Sequence, residues 1–185
     1  ADAQPNTFVV LHNSSAVAMP WLRKVSAVIE AYLGGEAVGG AIYDVLTGKV
    51  NPSGKLAETF PNRVEDTPAF LNFPGYGDVV EYREGIYVGY RFYDAKKMDV
   101  LFPFGHGLSY TTFERSAAEP VVTDETVTVE VEVTNTGQVA GKDVVQVYFS
   151  APWTEGGIEK SAVELAGYAK TGELAPGASE TVSVE

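Results

Sequence analysis

The sequence predicts a parallel α/β layer that gives way to an all-β sandwich. In the first third, short apolar runs alternate with stretches at helical spacing. From Val121 onward the period drops to two: Val127, Val129, Val131 and Val133 face one way, Thr128, Glu130 and Glu132 the other. Between them, residues 61–112 mix Pro, Gly and aromatics with no sustained period. Nine of the chain's 19 Tyr and Phe residues fall between Tyr76 and Tyr110, and a loop this long in a compact protein is usually functional or laid over a partner surface.

Thr7 to Leu11 is a β-branched apolar run and predicts a buried strand of a parallel sheet covered on both faces. After the polar turn Asn13-Ser14-Ser15, Pro20 suits the first turn of a helix. Leu22, Val25, Ile29 and Tyr32 then form a stripe at helical spacing, ended by Gly34-Gly35. A second helix is expected from Ala37 to Leu46, with Ala41, Val45 and Leu46 facing inward, Gly48 as its cap and Lys49 beside it. Asn51-Pro52-Ser53-Gly54 reads as a turn, and Lys55 to Phe60 as extended chain. In the last third, Val144–Phe149, Leu165–Ala169 and Thr181–Val184 join the first alternating strand, with turns at Asn135-Thr136-Gly137 and Pro176-Gly177. Such strands suggest an immunoglobulin- or fibronectin III-like sandwich. Such a sandwich needs about seven strands; four are read here, so the module is expected to be truncated.

Composition narrows the function. The chain has 185 residues, no Cys and a net charge of −12. Disulfides and thiolate metal sites are excluded, and repulsion from phosphate argues against nucleic acid. No apolar run approaches membrane-spanning length. Residues 1–7 lack a basic leader segment. The Cys-free composition fits a reducing compartment and also many secreted bacterial proteins, so localisation stays open, with the cytoplasm slightly favoured over secretion. The chain opens almost directly into a strand and stops inside one, so both ends are expected to be fragment boundaries. An open sheet edge rich in Val and Thr predicts self-association into a homo-oligomer.

The densest text is Tyr82-Arg83-Glu84-Gly85-Ile86-Tyr87-Val88-Gly89-Tyr90-Arg91-Phe92-Tyr93-Asp94, followed by Leu101-Phe102-Pro103-Phe104-Gly105-His106-Gly107-Leu108-Ser109-Tyr110-Thr111-Thr112-Phe113. Before it stand Pro20-Trp21, Gly34-Gly35-Glu36-Ala37-Val38-Gly39, Asn51-Pro52-Ser53-Gly54-Lys55-Leu56 and Thr59-Phe60-Pro61. In this order the motifs resemble the C-terminal half of family 3 glycoside hydrolases, the β-glucosidase family, over nearly the whole chain. Asp66 to Phe73 is similar to a branch of β-glucosidases. The resemblance implies residues 1–60 from the end of an α/β sandwich domain (parallel sheet with flanking helices), an aromatic linker over 61–115, and an incomplete fibronectin type III-like sandwich over 116–185.

Retaining glycoside hydrolysis needs two carboxyl groups about 5 Å apart, a nucleophile and a general acid/base. The resemblance implies that the nucleophile belongs to a (β/α)8 barrel and the acid/base to a Ser-Glu-Gly-x-Asp-Arg segment, neither of which is in this sequence. No catalytic residue is therefore expected here, and no cofactor or metal. The implied partners are a β-glucoside or oligosaccharide and the barrel domain. Glu84 and Tyr93 are the candidates for substrate binding beside a pocket, although Glu84 reads more simply as a loop carboxylate paired with an Arg such as Arg91. His12 and His106 read as satisfied structural histidines, and Asp143, Glu130 and Glu132 as a solvated strand face. Trp153 reads as a carbohydrate platform or an interdomain anchor. The competing function is a non-enzymatic carbohydrate-binding or adhesive β-sandwich module; a third reading is a scaffold for the active site.

Overall fold

The computed structural model describes all residues, 1–185. They divide into two compact units: residues 1–44 with 56–104, and residues 45–55 with 105–185.

In the first unit, β1 (Phe8–Leu11) pairs in parallel with β2 (Ala27–Glu30), Val9 opposite Val28 and Val10 opposite Ile29. The helix expected after Pro20 is only a short 3-10 turn, Leu22–Lys24. The stripe at 22, 25, 29 and 32 overlaps the β-branched run Val25 to Ile29, and pairing decides. The Ser26 amide donates to the Thr7 carbonyl (2.7 Å) and Ala31 to Leu11 (2.9 Å), continuing the ladder at both ends. Helix α1 (Val38–Leu46) starts beyond Gly34-Gly35, so these glycines precede a helix rather than end one. A Cβ on Gly34 would meet the Val38 side chain at 2.3 Å. Of the residues expected to face inward from α1, Val45 is half-buried, while Ala41 and Leu46 are exposed, because Ile42 takes the covered face. Gly48 closes the helix at φ 72, its amide donating to the Val45 carbonyl (3.0 Å).

The aromatic region contains an element its lack of period concealed, α2 (Tyr90–Lys96). Its first turn opens at Gly89 with φ 59, and Lys97 ends it in the left-handed region. Phe60 is buried, bridges to Phe102 and meets its ring edge-on at 6.4 Å; Tyr90 stacks on Phe104 at 5.1 Å.

The second unit holds six strands: β3 (Phe113–Ala117), β4 (Val121–Val122), β5 (Val127–Asn135), β6 (Val144–Phe149), β7 (Glu164–Lys170) and β8 (Ser179–Val184). Strand β5 is central, flanked by β3 and β4 on one edge and β8 on the other, all antiparallel; β6 and β7 form a separate hairpin. The period-two pattern produces the core: Val131, Val133, Val145, Leu174 and Val182 pack together with Phe113 and Val147 against them. Asn51-Pro52-Ser53-Gly54 is not a turn but an irregular strap. The Asn51 amide group donates to the Ala140 carbonyl (2.9 Å) and accepts from Ser109 Oγ (2.9 Å) and the Tyr110 amide (2.8 Å), so its side-chain bonds lead away from its own neighbours.

Asp143 is not on a solvated face. It is 1% exposed and bonded by Arg115 Nε at 2.7 Å, with Lys55 Nζ at 3.6 Å. It stands one residue before β6, where the sheet's alternation gives no guide to its direction. Asn135 is fully buried, and all its side-chain capacity is used: Nδ2 donates to the Val139 and Leu174 carbonyls (2.8 Å each), and Oδ1 accepts from Thr111 Oγ1 (2.7 Å) and the Gly137 amide (3.1 Å).

Candidate functional site

Parallel sheets present their ligands and functional groups at the carboxyl ends of the strands. At that end of β1 and β2 lie His12, Asn13, Glu30 and Tyr32. Asn13 Nδ2 donates to the Ser15 carbonyl (2.6 Å) and to Glu30 Oε2 (3.4 Å), and Glu30 Oε1 accepts from the Tyr32 amide (2.9 Å). His12 Nε2 accepts from the Gly34 amide (3.1 Å), which commits that nitrogen to an acceptor role. Tyr32 is held at φ 45, with its hydroxyl shut away from solvent. Burial first, then the charges of Glu58 and Glu30, raise its pKa above the ordinary phenol value.

Beside this edge is a cleft of about 370 Å³ within the first unit, with Ser15, Glu58, Thr59, Thr67, Gly89 and Tyr93 among its lining residues. Tyr93 is 6% exposed; burial and then Asp66 raise its pKa. Thr59 Oγ1 accepts from the Phe104 amide (3.2 Å) and Thr67 Oγ1 donates to the Val64 carbonyl (2.8 Å), so part of the cleft's polar capacity is already used internally.

Glu58 is the sole carboxylate lining the cleft. A single carboxylate among hydroxyls can bind a polyol, but retaining hydrolysis calls for a pair. No cluster of three or more His, Asp or Glu side chains gathers at metal-binding distance.

Of the two residues singled out from sequence, Tyr93 lines this cleft and Glu84 does not. Glu84 is half-buried and forms no ion pair with Arg91; its carbonyl accepts from the Tyr87 amide (3.0 Å) in a tight loop, while Arg91 Nε is buried without a partner. Sequence reasoning missed Glu30, Tyr32 and Glu58. Glu30 carried a usable signal, as the last residue of a β-branched run; Glu58 lies in irregular chain and carried none.

Residues 1–110 match the model of the glycosyl hydrolase family 3 C-terminal domain, and residues 143–185 that of a fibronectin type III-like domain. The chain is 51% identical to the thermostable beta-glucosidase B of Acetivibrio thermocellus, covering 99% of this chain and 24% of that protein. It is 50% identical to beta-glucosidase B of Emericella nidulans, over 98% of this chain and 23% of the relative. Among solved structures, the beta-glucosidase of Kluyveromyces marxianus in complex with glucose superposes with a TM-score of 0.93 at 44% identity, over 99% of this chain and 22% of that one. Beta-glucosidase 3B of Thermotoga neapolitana in complex with alpha-D-glucose gives 0.90 at 42%, over 97% and 25%. The chain thus spans about a quarter of the length of the relatives it matches. With its ordered motifs, its parallel strand pair and its β-sandwich matched over nearly every residue, the chain belongs to glycoside hydrolase family 3.

Proposed function

We propose that this chain is the non-reacting C-terminal part of a retaining β-glucosidase that removes terminal β-D-glucosyl residues. The observation that carries the reading is the match of 98–99% of the chain to proteins named beta-glucosidase, of which it makes up about a quarter. The lone carboxylate of its cleft agrees with both reacting acids lying elsewhere in the parent protein. Its role there is to support and enclose the sugar site rather than to perform chemistry.

In this reading β1 and β2 are two strands of a larger parallel sheet with helices on its faces. Residues 1–60 belong to the α/β sandwich domain, 61–115 to a linking region and 116–185 to the fibronectin type III-like module. Tyr93 and Glu84 stay the candidates nearest the substrate. The partners are a β-glucoside or oligosaccharide and the barrel of the same protein.

The test is hydrolysis of aryl β-glucosides. The 185-residue chain is expected to show none, and a polypeptide extended to the relatives' full length is expected to turn over. Turnover by the short chain above the level of a mock preparation defeats the assignment.

A further inference from the structure

The segment Phe70–Tyr82 carries the three most exposed large apolar side chains of the chain. Leu71 is 89% exposed, Phe73 75%, Tyr76 94% and Tyr82 87%, with Val79 and Val80 exposed beside them. A groove of about 270 Å³, lined by Val64, Thr67, Ala69, Phe70 and Phe73, runs along its base. Surfaces of soluble monomers rarely carry so continuous an apolar patch.

The tip is shaped. Tyr76 and Val79 exchange two backbone hydrogen bonds, at 3.0 and 3.2 Å, around Gly77 at φ 60. Gly75, at φ 109, packs so closely that a Cβ would meet the Val79 carbonyl oxygen at 2.4 Å. A preformed tip lowers the ordering cost of an interface.

The side chains decide the kind of partner. Sugar faces stack on flat rings, whereas Leu71, Val79 and Val80 suit an apolar protein surface. With large aromatics contributing up to about 150–250 Å² each, the segment presents roughly 600–1,000 Å², which falls within the range of an interdomain contact. Roughly three quarters of each relative lies outside the matched stretch. A surface tethered in the same chain acts at an effective concentration on the order of millimolar, which outcompetes a second copy at ordinary protein concentrations.

We propose that Phe70–Tyr82 is a docking arm seated in an apolar socket on the catalytic portion of the same polypeptide. This rests on the reading of the chain as part of a longer β-glucosidase.

Hydroxyl-radical footprinting of the full-length polypeptide tests it, with labelling of Phe73, Tyr76 and Tyr82 normalised to the same protein in denaturant. Docking predicts at least tenfold slower labelling at all three, at every protein concentration and without added sugar. The variant Leu71→Asp/Tyr76→Asp is expected to restore labelling of Tyr82. Unprotected side chains in the native protein overturn the proposal. So does protection that appears only as the sedimenting mass doubles, which assigns the arm to a second copy, or only with cellotetraose, which makes it a glycan platform. Aryl-glucoside turnover separates the two readings: turnover with an unprotected arm defeats docking alone. Protection without turnover upholds docking and defeats the glucosidase reading.

Discussion

The second unit buries a connected apolar cluster of its own, while most large apolar side chains of the first unit are only half-covered. Val131, Val133, Val145, Leu174 and Val182 are each at most 7% exposed and touch one another. In the first unit only Met19, Phe60 and Tyr93 of the hydrophobic residues reach that level, while Leu33, Leu71, Phe73, Tyr76 and Tyr82 stand at 72% or more. One unit closes a core on its own residues, and the other fully buries only three apolar side chains. The difference tells where stability should reside, and substitutions at the second unit's buried polar groups probe it most sharply.

The largest effect is expected at Asn135. Asn135→Ala would strand the Thr111 hydroxyl and the Leu174 carbonyl in the interior and unpair the part-buried Gly137 amide and Val139 carbonyl. Leaving several buried groups unsatisfied costs about 3–5 kcal/mol. Hydrogen exchange should then show β5 and β8 losing their protection while β1 and β2 keep theirs. Equal loss in both strand pairs would break the contrast between the two units.

Asp143 comes next. Its carboxylate is buried, while Arg115 is half-exposed and Lys55 mostly covered, so solvent screens one arm of the cluster and not the other. Removing one member of a buried ion pair costs about 3–5 kcal/mol, and the exposure of Arg115 reduces the expectation for Asp143→Asn to about 2–3 kcal/mol. Urea unfolding at low and high salt measures it. A loss that vanishes in high salt would show a surface pair rather than a buried one.

What could be read in the sequence follows the same division. Where one face of a strand is covered, the side-chain period reports it, and β5 to β8 appeared at nearly their true limits. Where local preference and long-range pairing compete, the period misleads. Residues 22–32 fit a helical stripe, yet β1 captures Ala27–Glu30 as a strand, through contacts a local pattern does not contain. Helix α2 went unseen because Tyr90, Phe92 and Tyr93 carry aromatic bulk without amphipathic order. The family was legible because its motifs are rigid: Asn51 and Lys55 are tied by specific bonds to Ser109, Tyr110 and Gly107. The cleft was legible only at Tyr93. Glu58 and Tyr32 are functional candidates by position, and position comes from the fold.

The smallest expected effect is a pH dependence at His106, in the second unit. Burial first, and the Lys55 ammonium second, hold its imidazole below the ordinary value of 6.5. The unfolded chain therefore takes up a proton before the folded one does. The stability this group contributes is complete above about pH 6.5 and is lost as the pH falls through and below that value. Urea midpoints at pH 7.5 and 5.5 should fall further for the natural protein than for His106→Gln, by less than either effect above because the ring is only half-buried. Carboxylate titration is common to both proteins and cancels in the comparison. A parallel fall in the two would mean that His106 senses neither Lys55 nor its burial, and would place the second unit's acid sensitivity in its carboxylates alone.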